Sequence, residues 1–444
     1  MQNRILNYST TKKRGTLFCA VLCLSMAAST QAQELLTVEK AIEIGLKNNY
    51  DIILARNQAE IAERNNTVGN AGMLPRVNGV VSDNATYTNL NQEFQSGNQI
   101  NTNNVVGNNL NAAVNLNWTL FDGLKMFATK SKLKRLAQIG EFAFKQEMQD
   151  AVSRIIIGYY DIVRTQQQMR ATDEAIRIAE ERVKIANAKF EVGNSSKVDL
   201  LQAKVDLNAA KSSQLAQRTL IVQKKANLSL SLALKPDTEF TVSDSIAIVY
   251  NPALTPADLD TKNFTLQAAL KNVEVARFAK KEFAAQYFPT LTALGGYSYN
   301  RSQSTAGFLL YSQTYGLNGG FNLNIPLFNG LNTTRQVKIA GIEVLNQQVQ
   351  LQKTRAQINA GYYNALKDFE NAKAVLMLEE DNILLAQENV QIALERFRLA
   401  QSTSIELRQA EQSYVAALVR VSDARYSTKL AETELMRLQG ELVK

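Results

Sequence analysis

The side chains best suited to chemistry are acidic, and they occur in two arrangements. Asp199 and Glu406 each follow a hydroxyl residue, Ser196 and Thr403, by three positions. This is the spacing of a capping box, in which the hydroxyl and the acidic side chain both hydrogen-bond to backbone N–H groups at a helix start. The second arrangement is the run Glu379-Glu380-Asp381, which could bind a cation if several copies formed a ring. A solvated helix face accounts for that run more simply, and we predict no metal site.

The residue types on which most catalytic sites depend are missing. The chain has no histidine, and its two cysteines are Cys19 and Cys23. Both lie in residues 1–32, which have the basic start, the apolar segment and the small-x-small cleavage site of a signal peptide. Cleavage would leave neither imidazole nor thiol, which excludes a Ser-His-Asp triad, a cysteine nucleophile, a disulfide and a Cys/His metal site. We therefore predict an exported protein with no catalytic residues and no cofactor.

The charge gives no indication of a nucleic-acid partner. The formal net charge is +8, but Arg4, Lys12, Lys13 and Arg14 belong to the predicted leader. No long Lys/Arg run follows, so the basic balance does not predict nucleic-acid binding. No apolar run after the leader is long enough for a transmembrane helix. Such an exported chain is periplasmic, secreted or a membrane β-barrel, because only helices and closed barrels satisfy the backbone in lipid.

The same motifs occur twice along the chain. The segment Asn115-Leu-Asn-Trp-Thr-Leu-Phe-Asp-Gly-Leu124 recurs as Asn322-Leu-Asn-Ile-Pro-Leu-Phe-Asn-Gly-Leu331, and Lys189-Phe190 recurs as Arg396-Phe397. The separation of about 200 residues is far longer than the unit of a solenoid array, so it indicates duplication of a domain-sized unit. The predicted order is a signal peptide, repeat one, a connecting segment and repeat two, at residues 1–32, 33–234, 235–262 and 263–440.

Four segments alternate between apolar residues and Asn, Thr or Ser. A 13-residue strand spans about 43 Å, enough to cross ~30 Å of hydrocarbon when tilted. One apolar and one polar, uncharged face is the pattern of a barrel strand between lipid and water. Four strands are too few to close a barrel, so we predict that three copies supply twelve. The alternative is a soluble antiparallel sheet with one solvated face. The predicted strands are residues 76–90, 109–121, 290–300 and 316–328, with 91–107 too polar for a core.

Helical periodicity occupies most of the remaining chain. These segments are rich in Ala, Gln, Asn and Ser and have a modest apolar stripe, which predicts packing as coiled coils or against other copies. Residues 333–400 as one helix would be about 100 Å long. Four long tracts in each of three copies would form a hollow cylinder. The predicted helices are residues 37–72, 125–192, 197–234, 256–287 with Thr255 as N-cap and Pro256 at the first position, 333–400 and 404–438.

The duplicated motifs resemble those of the TolC-type outer-membrane efflux family, over about residues 35–440. The resemblance is carried by the Asn-Leu-Asn-x-x-Leu-Phe-x-Gly junction in both repeats and by the turn from Lys189-Phe-Glu-Val-Gly193 to Val198-Asp-Leu-Leu-Gln-Ala203. It implies a homotrimer in outer-membrane lipid, mostly α with a twelve-stranded β-barrel, continuing into a periplasmic coiled-coil tunnel. Residues 235–262 would belong to an equatorial belt.

The resemblance also implies the partners. Substrates pass through such a channel passively, for efflux or type I secretion. An inner-membrane pump of RND or ABC type supplies the energy, and a periplasmic adaptor (membrane fusion) protein docks on the turns at the tunnel end.

The resemblance further implies three sets of site residues. Glu406 matches an acidic constriction position, whereas Gln409 replaces a second one and Ser402 replaces a gate-locking arginine. Asp199 and Glu406 either serve only as helix caps or serve as helix caps that also narrow the tunnel. The second turn has Ala400 in place of glycine, which favours the first turn for docking. The candidates are Phe190, Gly193, Phe397 and Ala400 for docking; Asp199, Ser402, Glu406 and Gln409 for the constriction; and Phe121, Gly123, Phe328 and Gly330 for the junction between barrel and tunnel.

The aromatic candidates have two interpretations each. Phe190 and Phe397 are knobs between paired helices, with adaptor contact a second possibility. Phe121 and Phe328, with Trp118, suit either an interfacial aromatic belt or buried junction packing. The sequence as a whole predicts an outer-membrane channel-tunnel. The competing hypothesis is a periplasmic or surface coiled-coil structural protein with a small soluble sheet.

Overall fold

A computed structural model describes residues 35–243, 245–249 and 259–443. The predicted signal peptide, residues 1–32, and the predicted helix start at Thr255 and Pro256 lie outside these ranges. The described helices are α1 Val38–Asn48, α2 Tyr50–Arg64, α3 Lys125–Glu191, α4 Lys197–Ser231, α5 Leu259–Lys262, α6 Phe264–Ala284, α7 Asn332–Arg398 and α8 Ser404–Leu438, with a 3₁₀ turn at Ala285–Tyr287.

The long helices come in two matched pairs. Helices α3 and α7 have 67 residues each, and α4 and α8 have 35 each. At about 1.5 Å per residue, α3 and α7 are each roughly 100 Å long. Each long helix packs against the helix that follows it as an antiparallel hairpin, and α3 also contacts α8.

The prediction of one helix over residues 37–72 is wrong in two respects. Asn49 has a non-helical backbone, with φ −58° and ψ 130°, and its side-chain oxygen accepts from the N–H groups of Asp51 and Ile52, so it ends α1 and caps α2. Helix α2 then ends at Arg64 because the next polar side chains bond locally. Asn70 donates to the carbonyl of Asn65 at 2.9 Å, and its own N–H is accepted by the Thr67 hydroxyl at 3.1 Å. Such bonds compete with the helix.

The strands are β1 Leu35–Leu36, β2 Arg76–Glu93, β3 Gln99–Phe121, β4 Thr241–Val242, β5 Thr290–Ser304 and β6 Tyr311–Asn324. Four of them form one antiparallel sheet in the order β2-β3-β5-β6. Its registers include Arg76 opposite Asn117, Gly107 opposite Ser304, and Thr290 opposite Asn324. A two-residue parallel pair is formed by β1 and β4.

Five predicted strand limits are wrong. Strand β2 ends at Glu93 rather than 90, β3 begins at Gln99 rather than 109, β5 ends at Ser304 rather than 300, and β6 occupies Tyr311–Asn324 rather than 316–328. The polar segment 91–107 is largely strand, because β2 and β3 form a hairpin in which Glu93 lies opposite Gln99 and backbone pairing does not require apolar side chains. At the other edge β6 ends at Asn324, before Ile325-Pro326. Proline has no N–H to donate to a strand ladder. Phe328 therefore lies beyond the strand.

The buried core lies among the helices rather than in the sheet. One cluster joins α1, α3 and α4 through residues such as Ile155, Tyr159 and Leu232, and a second joins α5, α7 and α8 through Phe369 and Leu435. The sheet instead exposes many large apolar side chains. No helix in the described part of the chain is long and apolar enough to cross a membrane.

Candidate functional site

The first hairpin turn joins α3 to α4. Gly193 has a φ of +78°, a left-handed conformation that a glycine adopts at little cost. Its N–H donates to the Phe190 carbonyl at 3.0 Å, and the N–H of Asn194 donates to the Lys189 carbonyl at 2.7 Å. These bonds close the end of α3. The Phe190 side chain is 40 % exposed.

A complete capping box begins the next helix. The Ser196 hydroxyl accepts from the Asp199 N–H at 3.2 Å, and the Ser196 N–H donates to the Asp199 carboxylate at 3.4 Å. The Ser196 and Ser195 hydroxyls also donate to this carboxylate, at 2.9 and 3.0 Å. These hydrogen bonds lower the pKa of Asp199, with Ser196 the larger cause. The predicted cap is present at this turn.

The second hairpin turn, between α7 and α8, closes with the same backbone hydrogen bonds as the first. Ala400 has a φ of +57°, and its N–H donates to the Phe397 carbonyl at 3.2 Å. Thr403 caps α8, with its hydroxyl accepting from the Glu406 N–H at 3.2 Å and donating to the Glu406 carboxylate at 3.3 Å. An L-residue other than glycine is strained in the left-handed region, by roughly 1–2 kcal/mol. The second turn therefore carries strain that the first does not.

The two turns are joined by basic side chains. The Lys189 ammonium lies 3.9 Å from the centroid of the Phe397 ring and donates to the Phe397 carbonyl at 2.5 Å. Phe397 is only 5 % exposed. Burial lowers the pKa of Lys189. Arg398 pairs with Glu181 at 3.1 Å. The two phenylalanines are therefore not equivalent, since Phe190 is open and Phe397 is covered.

Three of the four predicted constriction residues lie together. Ser402, Glu406 and Gln409 line a groove of about 320 Å³ between α7 and α8, which Arg396 also lines. Asp199 lies at the first turn and does not line this groove. Lys189 and Arg396 were not among the predicted site residues. The sequence did contain a signal for them, because each directly precedes a phenylalanine, Phe190 or Phe397, at matching positions of the two repeats.

A buried ionic cluster on the helices next to the two hairpin turns was also not predicted from the sequence. Arg182 of α3 is 1 % exposed and pairs with Asp206 of α4 at 2.7 Å and with Glu411 of α8 at 3.2 Å. Burial raises the pKa of Glu411, and the charge of Arg182 opposes that effect. The cluster ties both helical hairpins together. No local spacing marks it, because its three members are distant in sequence.

The acidic run on α7 takes part in pairing between helices. Glu379 bonds to Arg420 at 3.0 Å and Glu380 to Arg425 at 2.9 Å, both on α8. These pairs account for two of the three carboxylates. In the ranges that the structure describes, no cluster of His, Cys, Asp or Glu is arranged to hold a metal.

The two strand-to-helix junctions share a backbone conformation but differ in packing. Leu124 and Leu331 precede α3 and α7 with φ values of +70° and +61°. At the first junction, a Cβ on Gly123 would lie 2.3 Å from the Ala285 carbonyl oxygen. At the second, Gly330 has open space, with only the Asn332 amide nitrogen 3.7 Å away. Gly123 is therefore tightly packed within the chain, whereas Gly330 is open.

The aromatic residues are likewise less exposed at the first junction than at the second. Phe121 is 37 % exposed, whereas Phe328 is 80 % exposed. The Trp118 indole donates to the Met73 carbonyl at 3.1 Å, which fixes it against the segment before β2.

Comparison with known proteins agrees with this architecture. The chain is 26 % identical over 186 residues to the outer membrane efflux protein BepC of Brucella suis, an alignment covering 42 % of this chain and 38 % of the relative. It is 26 % identical over 189 residues to the outer membrane protein TolC of Vibrio cholerae, covering 41 % and 42 %. Each alignment thus spans less than half of the curated relative.

A solved structure extends the likeness to nearly the whole chain. The Campylobacter jejuni CmeC outer membrane channel superposes with a TM-score of 0.76 at 18 % identity, covering 91 % of this chain and 85 % of that one. At this identity the likeness shows the fold. The model of the outer membrane efflux protein family matches residues 41–234 and 256–441. That match covers most of the chain, which therefore belongs to the outer membrane efflux protein family and is a protein of the outer membrane.

Proposed function

We propose that the chain is one subunit of a trimeric channel-tunnel that conducts substrates passively from the periplasm to the outside. The observation that carries the proposal is the continuity of strand and helix. Strand β3 leads into α3, and the chain from β6 leads into α7, each through a left-handed leucine. A sheet joined in this way to helices of roughly 100 Å suits a conduit that crosses both the outer membrane and the periplasm.

Barrel closure follows from strand counting. Strands β2 and β6 are the two edges of the sheet, and an exposed edge is a template for pairing with another chain. In three copies, β6 of one would pair with β2 of the next to give twelve strands and no free edge. The exposed apolar side chains of the sheet would then contact outer-membrane lipid. The same symmetry would close the helices into a tunnel.

The periplasmic end has two proposed roles. The exposed first turn around Phe190 and Gly193 offers the adaptor a docking surface, through which an inner-membrane pump delivers substrate. Glu406 of α8, repeated three times around the axis, would place a ring of carboxylates at the constriction beside Ser402 and Gln409. Transport of this kind requires no catalytic residue or cofactor in the chain itself.

We also propose that the chain arose by duplication, with residues 33–234 and 263–440 as the two units and 235–262 between them. The equal lengths of α3 and α7, and of α4 and α8, support this. The family model likewise matches the chain in two segments.

The test is to isolate membranes from cells expressing the full chain and to run the detergent extract on a denaturing gel without boiling. We expect trimers in the outer-membrane fraction and conductance when they are added to a planar bilayer. Recovery only as a monomer, or as a soluble periplasmic protein, would support the coiled-coil structural protein instead.

A further inference from the structure

An open groove lies beside the first strand-to-helix junction, between the start of α3 and the end of α6. We name it the junction groove and define it by Leu124, Phe127 and Ser131 on the α3 side and Phe278, Lys281 and Phe288 on the α6 side. It encloses about 350 Å³. Phe127 and Phe288 are 57 % and 54 % exposed. The single chain therefore leaves both rings open to a ligand.

The junction groove is apolar at the end near the sheet and polar at the other end. Leu124 lies three residues after the end of β3, and Phe288 lies two residues before the start of β5. Ser131 and Lys281 are each seven residues further along the helices, which is about 10 Å of helix. Among the described residues that line the groove, Lys281 alone is charged. This polarity suits an amphipathic ligand whose polar end is anionic.

The acidic side chains beside Lys281 already have partners. Glu282 bonds to Lys132 at 2.5 Å, and Glu274, two turns earlier on α6, lies 2.6 Å from Arg135. In the part of the chain that the structure describes, no carboxylate pairs with Lys281, whose ammonium lies 5.2 Å from the centroid of an aromatic ring of the groove. The polar end of the groove thus has a positive charge that is available to an anion.

The junction groove lies on the outer face of the helical layer. Counting along α3 from Phe127 in sevens, the repeat of a coiled coil, leads to Met148 and Ile155. Met148 lines a cavity with Val443 near the C-terminus, and Ile155 lies against Gly45 of α1. Three copies of α1 and of the C-terminal segment would block a tunnel if they lay inside it. This face of α3 is therefore turned outward.

The position along the chain places the groove at the membrane surface. Phe121, the last residue of β3, lies opposite Leu291, which lies opposite Leu323. Cross-strand partners share a face of a sheet, so these side chains form an apolar row at its end. Lipid headgroups occupy about 5–8 Å beyond the hydrocarbon. The apolar end of the groove then lies at headgroup depth, and the long side chain of Lys281 can reach toward it.

We propose that the junction groove binds an anionic phospholipid of the periplasmic leaflet. The glycerol and the upper acyl chain contact Phe127 and Phe288, and the phosphate lies between Lys281 and the Ser131 hydroxyl. The proposal rests on the outer-membrane barrel proposed above and adds a lipid site on its surface. A basic residue near a membrane attracts anionic headgroups, and basic pockets between helices bind them. A zwitterionic lipid has no net charge and gains less from Lys281.

Trp118 is the one tryptophan of the chain, so lipid contact can be measured by fluorescence. In the variant Trp118→Phe, Phe127→Trp the indole lies in the groove. Purified trimers are placed in mixtures of phosphatidylglycerol and phosphatidylcholine in which one lipid is brominated, because bromine quenches tryptophan on contact. We expect phosphatidylglycerol to be preferred at the introduced indole by about fivefold, the effect of one lysine near an anionic lipid. Adding Lys281→Gln should reduce that preference to about one.

Two controls are available in the same chain. Unmodified chain, with Trp118 on the sheet and 40 % exposed, should be quenched by both brominated lipids with a preference of about one, because lipid around the barrel exchanges freely. Lys184→Gln removes the same charge from a lysine that is 81 % exposed and lies far along α3 from the junction. Added to the Phe127→Trp variant, it should leave the preference unchanged.

The outcomes separate the site from the barrel. Quenching of Trp118 in unmodified chain without quenching of the introduced indole would mean that another copy or segment closes the groove, and it would overturn the site while the barrel stands. Equal quenching by the two lipids, or a preference that survives Lys281→Gln, would overturn the role of Lys281 in binding an anionic headgroup. Unmodified chain that neither lipid quenches would contradict the barrel itself.

A second measurement avoids the tryptophan substitutions. Native mass spectrometry of trimers released from detergent with added phosphatidylglycerol should show bound lipid for unmodified chain and several-fold less for Lys281→Gln. Lys281 is exposed, so the substitution should leave the fold and the unboiled trimer intact. Equal lipid binding by unmodified chain and Lys281→Gln would overturn the proposal.

Discussion

The two hairpin turns at the ends of the long helices have the same backbone but different means of support. The first has Gly193 in the left-handed position, a complete capping box and an open Phe190. The second has the strained Ala400 and a buried Phe397 covered by Lys189 of the first. The first turn thus keeps its shape through its own residues, whereas the second is held partly by its neighbour.

This difference suggests a division of roles. A turn that is exposed and unstrained presents a fixed surface, as docking requires. A turn that depends on contacts from another hairpin can change position when those contacts are lost. We therefore expect adaptor binding at the first turn and movement at the second.

The largest expected effect comes from breaking the ionic cluster that joins both hairpins. Arg182→Met leaves Asp206 and Glu411 without their partner, and removing one member of a buried ion pair costs about 3–5 kcal/mol. We expect a lower trimer melting temperature by calorimetry. Adding Asp206→Asn and Glu411→Gln should recover much of the loss. A melting temperature unchanged in Arg182→Met would show that the cluster does not stabilise the hairpins.

The second prediction tests docking at the first turn. Gly193→Val places a β-branched residue at φ +78°, where a Cβ meets no neighbouring atom, so the strain of roughly 1–2 kcal/mol is local. We expect trimers to assemble while export falls to background in a growth assay with a pump substrate. Gly193→Asn, which tolerates this conformation, is the control and should retain export. Unimpaired export in the valine variant would argue against docking at this turn.

Much of the architecture was predictable because it depends on periodic patterns. The long helices and the Ser196 and Thr403 caps follow from local sequence, and α8 has the predicted limits. Strand limits were less accurate, because pairing of β2 with β3 extends the sheet through Asn-rich sequence and β6 ends before Pro326. The resemblance to the efflux family is confirmed by the family match.

The contacts between hairpins were not predictable from the sequence. The position of Lys189 on Phe397 and the cluster around Arg182 depend on how distant helices pack, and neither has a local signature. The unequal exposure of Phe190 and Phe397 likewise follows from one hairpin covering the other.

The third prediction removes the contact between the turns. Lys189→Met loses the contact with the Phe397 ring and the hydrogen bond to its carbonyl, together worth about 2 kcal/mol. We expect faster amide exchange over residues 396–403 and higher single-channel conductance in a planar bilayer. Lys184→Met is the matched control, because that lysine is on the same helix and 81 % exposed. Equal exchange in the two variants would mean that Lys189 does not hold the second turn.

The smallest effect is expected from exchanging the two residues in the left-handed conformation, Gly193 and Ala400. The exchange tests whether backbone strain alone distinguishes the two turns. Ala400→Gly removes the left-handed strain, so it should raise the free energy of local opening at the second turn by about 1 kcal/mol and slow amide exchange there. Gly193→Ala should lower the free energy of local opening at the first turn by a similar amount and speed exchange there. Both turns close with the same backbone hydrogen bonds, so the two exchange rates can be compared directly. The effects have opposite signs because one substitution removes strain and the other adds it. If Ala400→Gly has no effect while Lys189→Met does, the second turn is held by its contacts, and the strain at Ala400 is already relieved by the surrounding structure.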